Sequence, residues 1–376
     1  MRVDSAKGIC SLIAIFLPSL RRGGAERIQL YLARRFAEKG EEVELVVANL
    51  DGAKYQSIPN DVAIVDLKAK RVSSSLPALV RYLRERKPSS VLSALDHCNL
   101  VALCAVKLAR VRPRLLISVH SPISKSSRDS GLRDRAIPHF ARILYRWADE
   151  IIAVSSGVAD DLSKTISLPR DRIRVIHNPV VVPELFELAK EPVDHLWLQQ
   201  SKPPTILAVG RLEPSKDYPT LLRALARVLG ELSVQLIVLG EGGERSKLEG
   251  LIQELSLKEH VDLYGFAENP FAFMSKARLL VLPSTFEGFG NVIVEALALN
   301  LPVVSTNCPT GPAEILEQGR FGRLVPVGDE SALADAILNE LSSPVEGVNR
   351  RDRAMDFTYE RIADQYLDLI TKGATA

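Results

Sequence analysis

The sequence predicts an α/β protein built as two tandem Rossmann-like units, and three observations carry that prediction. The chain has 376 residues, which suits two domains each large enough to bury a core. Short apolar runs alternate with stretches of helical periodicity, the pattern of parallel strands joined by helical crossovers. That alternation breaks once, over residues 180–204, where Pro183, Pro192, Pro203 and Pro204 fall in a stretch without periodicity. The expected domains are 1–190 and 191–355, with a terminal helix over 356–376 that crosses back to the first domain.

Residues 12–17 form an uninterrupted apolar run of strand length. Residues 25–39 follow as a helix, because Ile28, Leu32 and Phe36 recur four apart and Gly40 is placed to stop it. Further strands are expected at 43–48, 62–65, 90–94, 115–119 and 151–154, with helices such as 75–86 and 138–147 between them. The second series reads as strands at 205–209, 234–239, 261–264, 278–282 and 303–305, and helices at 220–229, 245–255 and 291–299. In the last stretch, 359–370, Ile362, Tyr366 and Ile370 lie four apart and predict a helix that buries one face.

Composition narrows the class further. With 46% hydrophobic and 25% charged residues, 22 Gly and 22 Pro, disorder and collagen-like repeats are excluded. Cys10, Cys98, Cys104 and Cys308 are too far apart for any CxxC pair, so zinc-knuckle and thioredoxin chemistry are not indicated, and reduced thiols fit a cytoplasmic protein. The best apolar run, residues 9–17, is interrupted by Ser11 and bounded by Pro18, too short to span a bilayer. No small-x-small site follows it, so a signal peptide is not expected.

Two segments carry the chemistry. The first runs over residues 284–299, a strand end, a loop and a helix. Glu295 is the single charge in an otherwise apolar helix, so it is expected to be buried, and a buried carboxylate needs a partner. Glu287 sits just ahead of the helix start, where free backbone N–H groups of residues 288–291 and the positive end of the dipole favour an anion. A phosphorylated ligand with sugar hydroxyls on either side suits that arrangement; a helix-capping Glu287 and a surface-pointing Glu295 is the other reading. The second segment, residues 210–219, follows a strand, where open α/β sheets bind ligands. Arg211 and Lys216 can both reach a diphosphate there, the guanidinium by two-pronged contacts and the ammonium as a compact charge.

Arg211 with Lys216, Glu287 and Glu295 eight apart around Gly288-Phe289-Gly290, and the early Gly23-Gly24-Ala25-Glu26-Arg27 together resemble the retaining glycosyltransferases of family 4. That family has the GT-B fold, two Rossmann-like domains facing a central cleft. The resemblance implies that Arg211 and Lys216 hold the diphosphate of a nucleotide sugar and that Glu295 accepts the ribose hydroxyls. Glu287 would contact the transferred sugar, and the N–H groups of Phe289, Gly290 and Asn291 would support phosphates and sugar. The base would meet main-chain groups at Gly265-Phe266-Ala267. In the first domain the resemblance assigns a glycine-rich loop to Gly23 and Gly24, and a sugar-facing histidine to His120, at the end of an apolar run. A plain tight turn and a structural histidine are the other readings.

No cofactor or metal ion is implied. The cations and the helix end would neutralise the departing diphosphate, whose own oxygen would take the proton of the attacking hydroxyl. The loop Gly240-Glu241-Gly242-Gly243-Glu244 departs from a phosphate cradle by its two carboxylates and reads as a helix-entry turn. Glu314, after Gly311-Pro312, fits either a structural turn or one beside the donor sugar.

The net charge of +2 hides an asymmetry. Residues 1–190 hold 31 basic and 20 acidic residues, net +11, and the remainder 17 against 26, net −9. Residues 110–146 are the densest part, with Arg110, Arg112, Arg114, Lys125, Arg128, Arg133, Arg135, Arg142 and Arg146 against Asp129 and Asp134, and Phe140, Tyr145 and Trp147 interleaved. The expectation is a first domain that docks on the anionic inner face of the cell membrane, the protein being cytoplasmic and peripheral; a solvated basic face is the other reading. No nucleic-acid motif is present.

The function that the resemblance implies is transfer of a hexose or N-acetylhexosamine from a nucleotide sugar, UDP-linked, to a lipid-diphosphate-linked or surface glycan. A GDP-mannose-dependent mannosyltransferase and a non-catalytic nucleotide-sugar-binding module are the alternatives.

Overall fold

Both series fold into parallel sheets in the computed structural model, which describes residues 11–20, 23–50, 61–126, 136–199, 203–344 and 347–371. The chain divides into two units, Met1–Pro179 with Tyr359–Ala376, and Val180–Thr358. Residues 1–10, where the signal-peptide reading falls, lie outside the described residues.

The first unit has seven parallel strands: β1 (Leu12–Leu17), β2 (Glu42–Val47), β3 (Val62–Asp66), β4 (Ser90–Ala94), β5 (Arg114–Val119), β6 (Glu150–Ala153) and β7 (Ile173–Val175). Their order is β3-β2-β1-β4-β5-β6-β7. The winding reverses between β1 and β4, where a doubly wound sheet opens a crevice at its carboxyl edge. Central strands such as β4 are buried along their whole length, so both faces must be apolar and covered. One cover is the helix Gly24–Glu38, which buries Ile28, Leu32 and Phe36 as their spacing predicts. Another is the terminal helix Tyr359–Thr371, whose Ile362, Tyr366 and Ile370 share a core with Ile13, Ile15 and Phe36. Arg35 reaches Asp364 at 3.3 Å, and Tyr359 donates to Glu38 at 3.0 Å, so polar contacts rim the same interface.

The second unit has six parallel strands: β8 (Thr205–Val209), β9 (Gln235–Leu239), β10 (Val261–Gly265), β11 (Leu279–Leu282), β12 (Val303–Thr306) and β13 (Arg323–Val325). The order is β10-β9-β8-β11-β12-β13, with the reversal between β8 and β11. Strand β13 was not legible in the sequence, because three residues starting with an arginine carry no periodicity. Arg323 is held at 2.7 Å by Glu340 from the helix Glu330–Ser342.

The division between the units falls after Pro179 rather than after Lys190. The N–H groups of Val180 and Val181 both donate to the carbonyl of Phe357 at 3.0 Å, so the chain segments before Tyr359 and after Pro179 lie side by side. The prolines mark local structure here instead of a linker: Pro183 opens the helix Pro183–Leu188. Arg351 stacks 4.4 Å over Phe186 of that helix, and Asn269 donates to Leu188 O at 2.8 Å. The charge asymmetry survives the new division, with 32 basic against 21 acidic residues in the first unit and 16 against 25 in the second.

Tyr366 is 1% exposed, and its hydroxyl lies 3.4 Å from Ser118 Oγ on β5. Tyr366→Ala removes a large core side chain together with its hydroxyl, so the first unit should lose about 3–5 kcal/mol. Chemical denaturation followed by circular dichroism measures it.

Candidate functional site

In the second unit, the carboxyl ends of neighbouring strands β8 and β11 open into two loops that are fastened to each other. Thr285 donates to Ser215 O through its N–H at 2.8 Å and through its hydroxyl at 3.2 Å. Ser215 lies in a single 3-10 turn, Pro214–Lys216, that follows from Pro214 at its first position. That turn delivers Lys216 to Glu287: Nζ is 2.5 Å from Oε1, and Ser284 Oγ donates to the same oxygen at 2.7 Å. Both charged side chains are largely buried, 20% and 12% exposed. Tyr218 donates to Gly210 O at 3.0 Å and fixes the start of the loop. Arg211 behaves differently. Its side chain is 77% exposed and, among the described residues, pairs only with Glu213, at 2.7 Å.

The helix Asn291–Ala298 begins immediately after Glu287-Gly288-Phe289-Gly290. Gly290 caps it with φ +100°, a conformation that side chains resist, and the backbone turns there into the helix. Glu295 is 4% exposed, as its apolar surroundings require. Sequence reasoning noted the Gly311-Pro312 turn but missed what it does. Thr310 Oγ1 donates to Glu287 O, and a Cβ at Gly311 would stand 1.9 Å from Phe289 O. The turn therefore lies directly on the backbone that carries Glu287 and Phe289. Cys308 beside it is buried, which pushes its thiol up to about 12 and leaves it unreactive.

The acidic loop after β9 packs on the Arg211 loop. Leu212 N–H donates to Glu241 O, and Glu244 N–H to Leu212 O, each at 3.0 Å. A Cβ at Gly240 or Gly242 would come within 2.0 Å of Gly210 O or 2.3 Å of Leu212 O. Glu241 itself pairs with Arg245 at 2.7 Å. Phe266 follows β10, two strands from β8, with its ring 55% exposed.

In the first unit, Gly24 is the first residue of its helix and Gly23 caps it in an extended conformation, φ −127°. No left-handed turn demands glycine at Gly23. A Cβ there would meet the Glu26 carboxylate at 2.1 Å, so the bare backbone makes room for that side chain. His120 follows β5 at the carboxyl edge. Its Nε2 lies 3.0 Å from Ser118 Oγ and 3.4 Å from Gln29 Nε2, while Nδ1 is shielded and has no hydrogen-bond partner. Burial pushes its pKa down to about 4, so the ring is neutral near pH 7. Gln29 was not singled out from the sequence. The available signal was an amide beside Ile28 on the buried side of an amphipathic helix, where it is 0% exposed.

A second buried group lies beyond β4. Asp96 opens the helix Asp96–Ala109 and accepts from Tyr145 OH at 3.0 Å; burial pushes its carboxyl up to about 6. Asn99 of the same helix donates to Ser118 O at 3.0 Å. Tyr145 is therefore a core residue, 0% exposed, and not part of an aromatic surface. Among the described residues no group of three or more His, Cys, Asp or Glu side chains is arranged to hold a metal ion.

Comparison with known proteins agrees over both units. The family described as Glycosyltransferase Family 4 matches residues 22–182, and Glycosyl transferases group 1 matches residues 195–361. The chain is 31% identical over 332 residues to the N-acetylgalactosamine-N,N'-diacetylbacillosaminyl-diphospho-undecaprenol 4-alpha-N-acetylgalactosaminyltransferase of Campylobacter jejuni, covering 85% of this chain and 87% of that one. It is 27% identical to the lipopolysaccharide core biosynthesis glycosyltransferase LpsE of Rhizobium meliloti, covering 93% and 96%. Anabaena HepE, solved with UDP-glucose, has the same fold, with a TM-score of 0.79, 21% identity and coverage of 96% and 100%.

The state of His120 yields a pH prediction. Between its ordinary value of 6.5 and about 4, the unfolded chain takes up a proton that the folded ring refuses. Stability should therefore fall by about 3 kcal/mol as pH drops through that window. His120→Gln should remove that share of the acid sensitivity, read from denaturation curves of both proteins at pH 7.5 and 4.5.

Proposed function

The chain belongs to glycosyltransferase family 4, and from that membership we propose that it moves a hexose or N-acetylhexosamine from a UDP-sugar to a lipid-linked or surface-glycan acceptor, with retention and without a metal ion. The observation that carries this reading is the Lys216–Glu287 pair beside the amino end of the helix Asn291–Ala298. An ammonium has three donors, so Lys216 can hold Glu287 and a phosphate oxygen together. Arg211, exposed on the same loop, is free to swing its planar fork onto the diphosphate. The helix end adds N–H groups from Phe289, Gly290 and Asn291.

Glu287, oriented by Lys216 and Ser284, accepts hydroxyls of the transferred sugar, and Glu295 accepts those of the ribose. The main chain around Phe266 holds the base. His120, neutral and held at Nε2 by Ser118, is the sugar-facing histidine of the first unit. Charge growing on the departing diphosphate is neutralised by the two cations and the helix dipole, which lowers the barrier to an oxocarbenium-like sugar. The β-phosphate oxygen on that face then takes the proton of the incoming hydroxyl. The Campylobacter relative, whose name contains a diphospho-undecaprenol acceptor, and the UDP-glucose complex of HepE support the choice of acceptor and donor.

Such an acceptor lies in a membrane, and no helix among the described residues is long and apolar enough to cross one. The first unit is assigned to dock on the inner face of the cell membrane through the helix Ile137–Leu144 and the end of the helix Asp96–Ala109. Phe140, Ile143, Trp147 and Leu108 are 56%, 62%, 43% and 54% exposed there. Lys107 lies 5.5 Å over the Trp147 ring, and Arg110, Arg112, Arg142 and Arg146 are exposed around them. Arg114 is not available, being paired with Glu150 at 2.9 Å. Arg128, Arg133 and Arg135 lie outside the described residues. Each exposed cation near anionic lipid is worth about 1 kcal/mol, and the apolar side chains add burial.

Arg211→Ala or Lys216→Ala should lower kcat at least about 100-fold with the fold intact. Glu295→Ala should weaken nucleotide binding itself. Calorimetry with UDP, GDP and ADP sugars and a transfer assay on the same proteins check both, and unchanged turnover in either cation variant would remove the phosphate assignment. The wild-type chain should sediment with anionic vesicles at low salt and be released at high salt, while a Phe140→Ser, Ile143→Ser, Trp147→Ser chain should stay in the supernatant. No sedimentation of the wild type sinks the docking reading.

A further inference from the structure

We propose that the first unit holds a second anion site, at the carboxyl ends of β1, β2 and β3, that takes the phosphate or diphosphate group of the acceptor. The identity of the ligand rests on the function proposed above; the site itself does not.

The chain leaves a cavity of about 410 Å³ there, within the size range of small-molecule sites. Its frame is a ladder continuing past the strand ends. Ala48 N–H donates to Leu17 O at 3.0 Å, Asn49 N–H to Pro18 O at 3.3 Å, and Ala69 N–H to Ala48 O at 2.7 Å. The Asn49 amide then donates to Ala69 O at 3.1 Å, closing the ring of contacts. Pro18, Ala48 and Ala69 form its floor, Ala48 and Ala69 being 1% and 7% exposed. Lys70 and Arg71 line it too.

Lys70 and Arg71 are not alone in lacking an acidic partner, since among the described residues Arg110, Arg112 and Arg142 have none either, but these two line the cavity. Arg35, Arg86, Arg114, Arg170 and Arg174 of the same unit all have carboxylate partners within 3.3 Å. Among the described residues, neither Lys70 nor Arg71 has a side-chain hydrogen bond or an acidic partner. Lys70 and Arg71 are adjacent, exposed like charges, and an anion between them relieves their repulsion. An ammonium supplies a compact charge and a guanidinium a two-pronged contact, the combination that suits phosphate oxygens. The cavity lies on the β2–β3 flank of β1, whereas His120 follows β5 on the other flank, so one ligand group at each place is compatible with the strand order. The carboxyl edge of a doubly wound sheet is where such ligands bind.

Pyrophosphate is the probe, titrated calorimetrically into a full chain carrying Arg211→Ala and Lys216→Ala, so that the cations of the second unit do not report. Binding should be seen, should weaken with salt, and should fall at least ten-fold when Lys70→Ala and Arg71→Ala are added. No binding, or an affinity that ignores the added changes, overturns the site. UDP is then titrated into the Lys70→Ala, Arg71→Ala chain with Arg211 and Lys216 intact. Retained UDP binding supports a separate site, and loss of UDP binding as well overturns it. If UDP sugars fail to bind the wild type while pyrophosphate still depends on Lys70 and Arg71, the donor reading fails and this site stands. Farnesyl diphosphate binding more tightly than pyrophosphate assigns the anion to a lipid, and glucose 1-phosphate doing so assigns it to a phosphorylated sugar.

Discussion

The two hydrogen bonds from Thr285 to the Ser215 carbonyl set the geometry on which the second unit's chemistry depends. Parallel strands place their carboxyl ends together, but the loops that follow are free to diverge unless something joins them. Here one backbone and one side-chain donor share a single acceptor, and the Lys216–Glu287 pair forms one residue further along the first loop and two along the second. Removal of one half-buried charge leaves the other unpaired, so the pair keeps its place more firmly than a surface ion pair does. The Thr310–Gly311 turn presses on the same backbone from a third direction. Backbone held in this way needs little reorganisation for the diphosphate proposed to bind there.

The first unit achieves its order differently. Its crevice holds His120, kept neutral by a lowered pKa, Asp96, whose raised pKa of about 6 leaves it ionised near pH 7, and Gln29, Ser118 and Asn99 between the strands and helices that carry them. Burial dominates both shifts. Within this unit of net +11, Lys70 and Arg71 face a cavity and Arg142 and Arg146 border exposed aromatic rings. The proposed membrane attraction and the proposed anion binding draw on different parts of one charge excess.

Chain position also separates the two units less simply than a linker would. Val180 and Val181 pair with Phe357 and Thr358, and the helix that follows, Tyr359–Thr371, completes the core of the first unit. Residues 359–371 are therefore structural for the first unit. Truncation there removes Tyr366 from beside β5 and its neighbour His120.

Periodicity by itself determined the α/β class, the strands that form most of each sheet and the buried face of the terminal helix, because apolar spacing is a local property set by backbone geometry. It also determined that Glu287, Glu295, Arg211 and Lys216 follow strands or enter a helix at an edge where ligands bind. Tertiary structure alone decided which of these side chains meet. Lys216 faces Glu287 while Arg211 points to solvent, because the 3-10 turn and the Thr285 staple act after the strands have assembled. It alone turned Tyr145 into the core and left Ile143 exposed, since the helix Asp96–Ala109 chooses the face that is covered. Gln29 beside His120, the Thr310 contact and the cavity at Lys70 and Arg71 were out of reach for the same reason: each joins segments distant in sequence, and no local pattern encodes their approach.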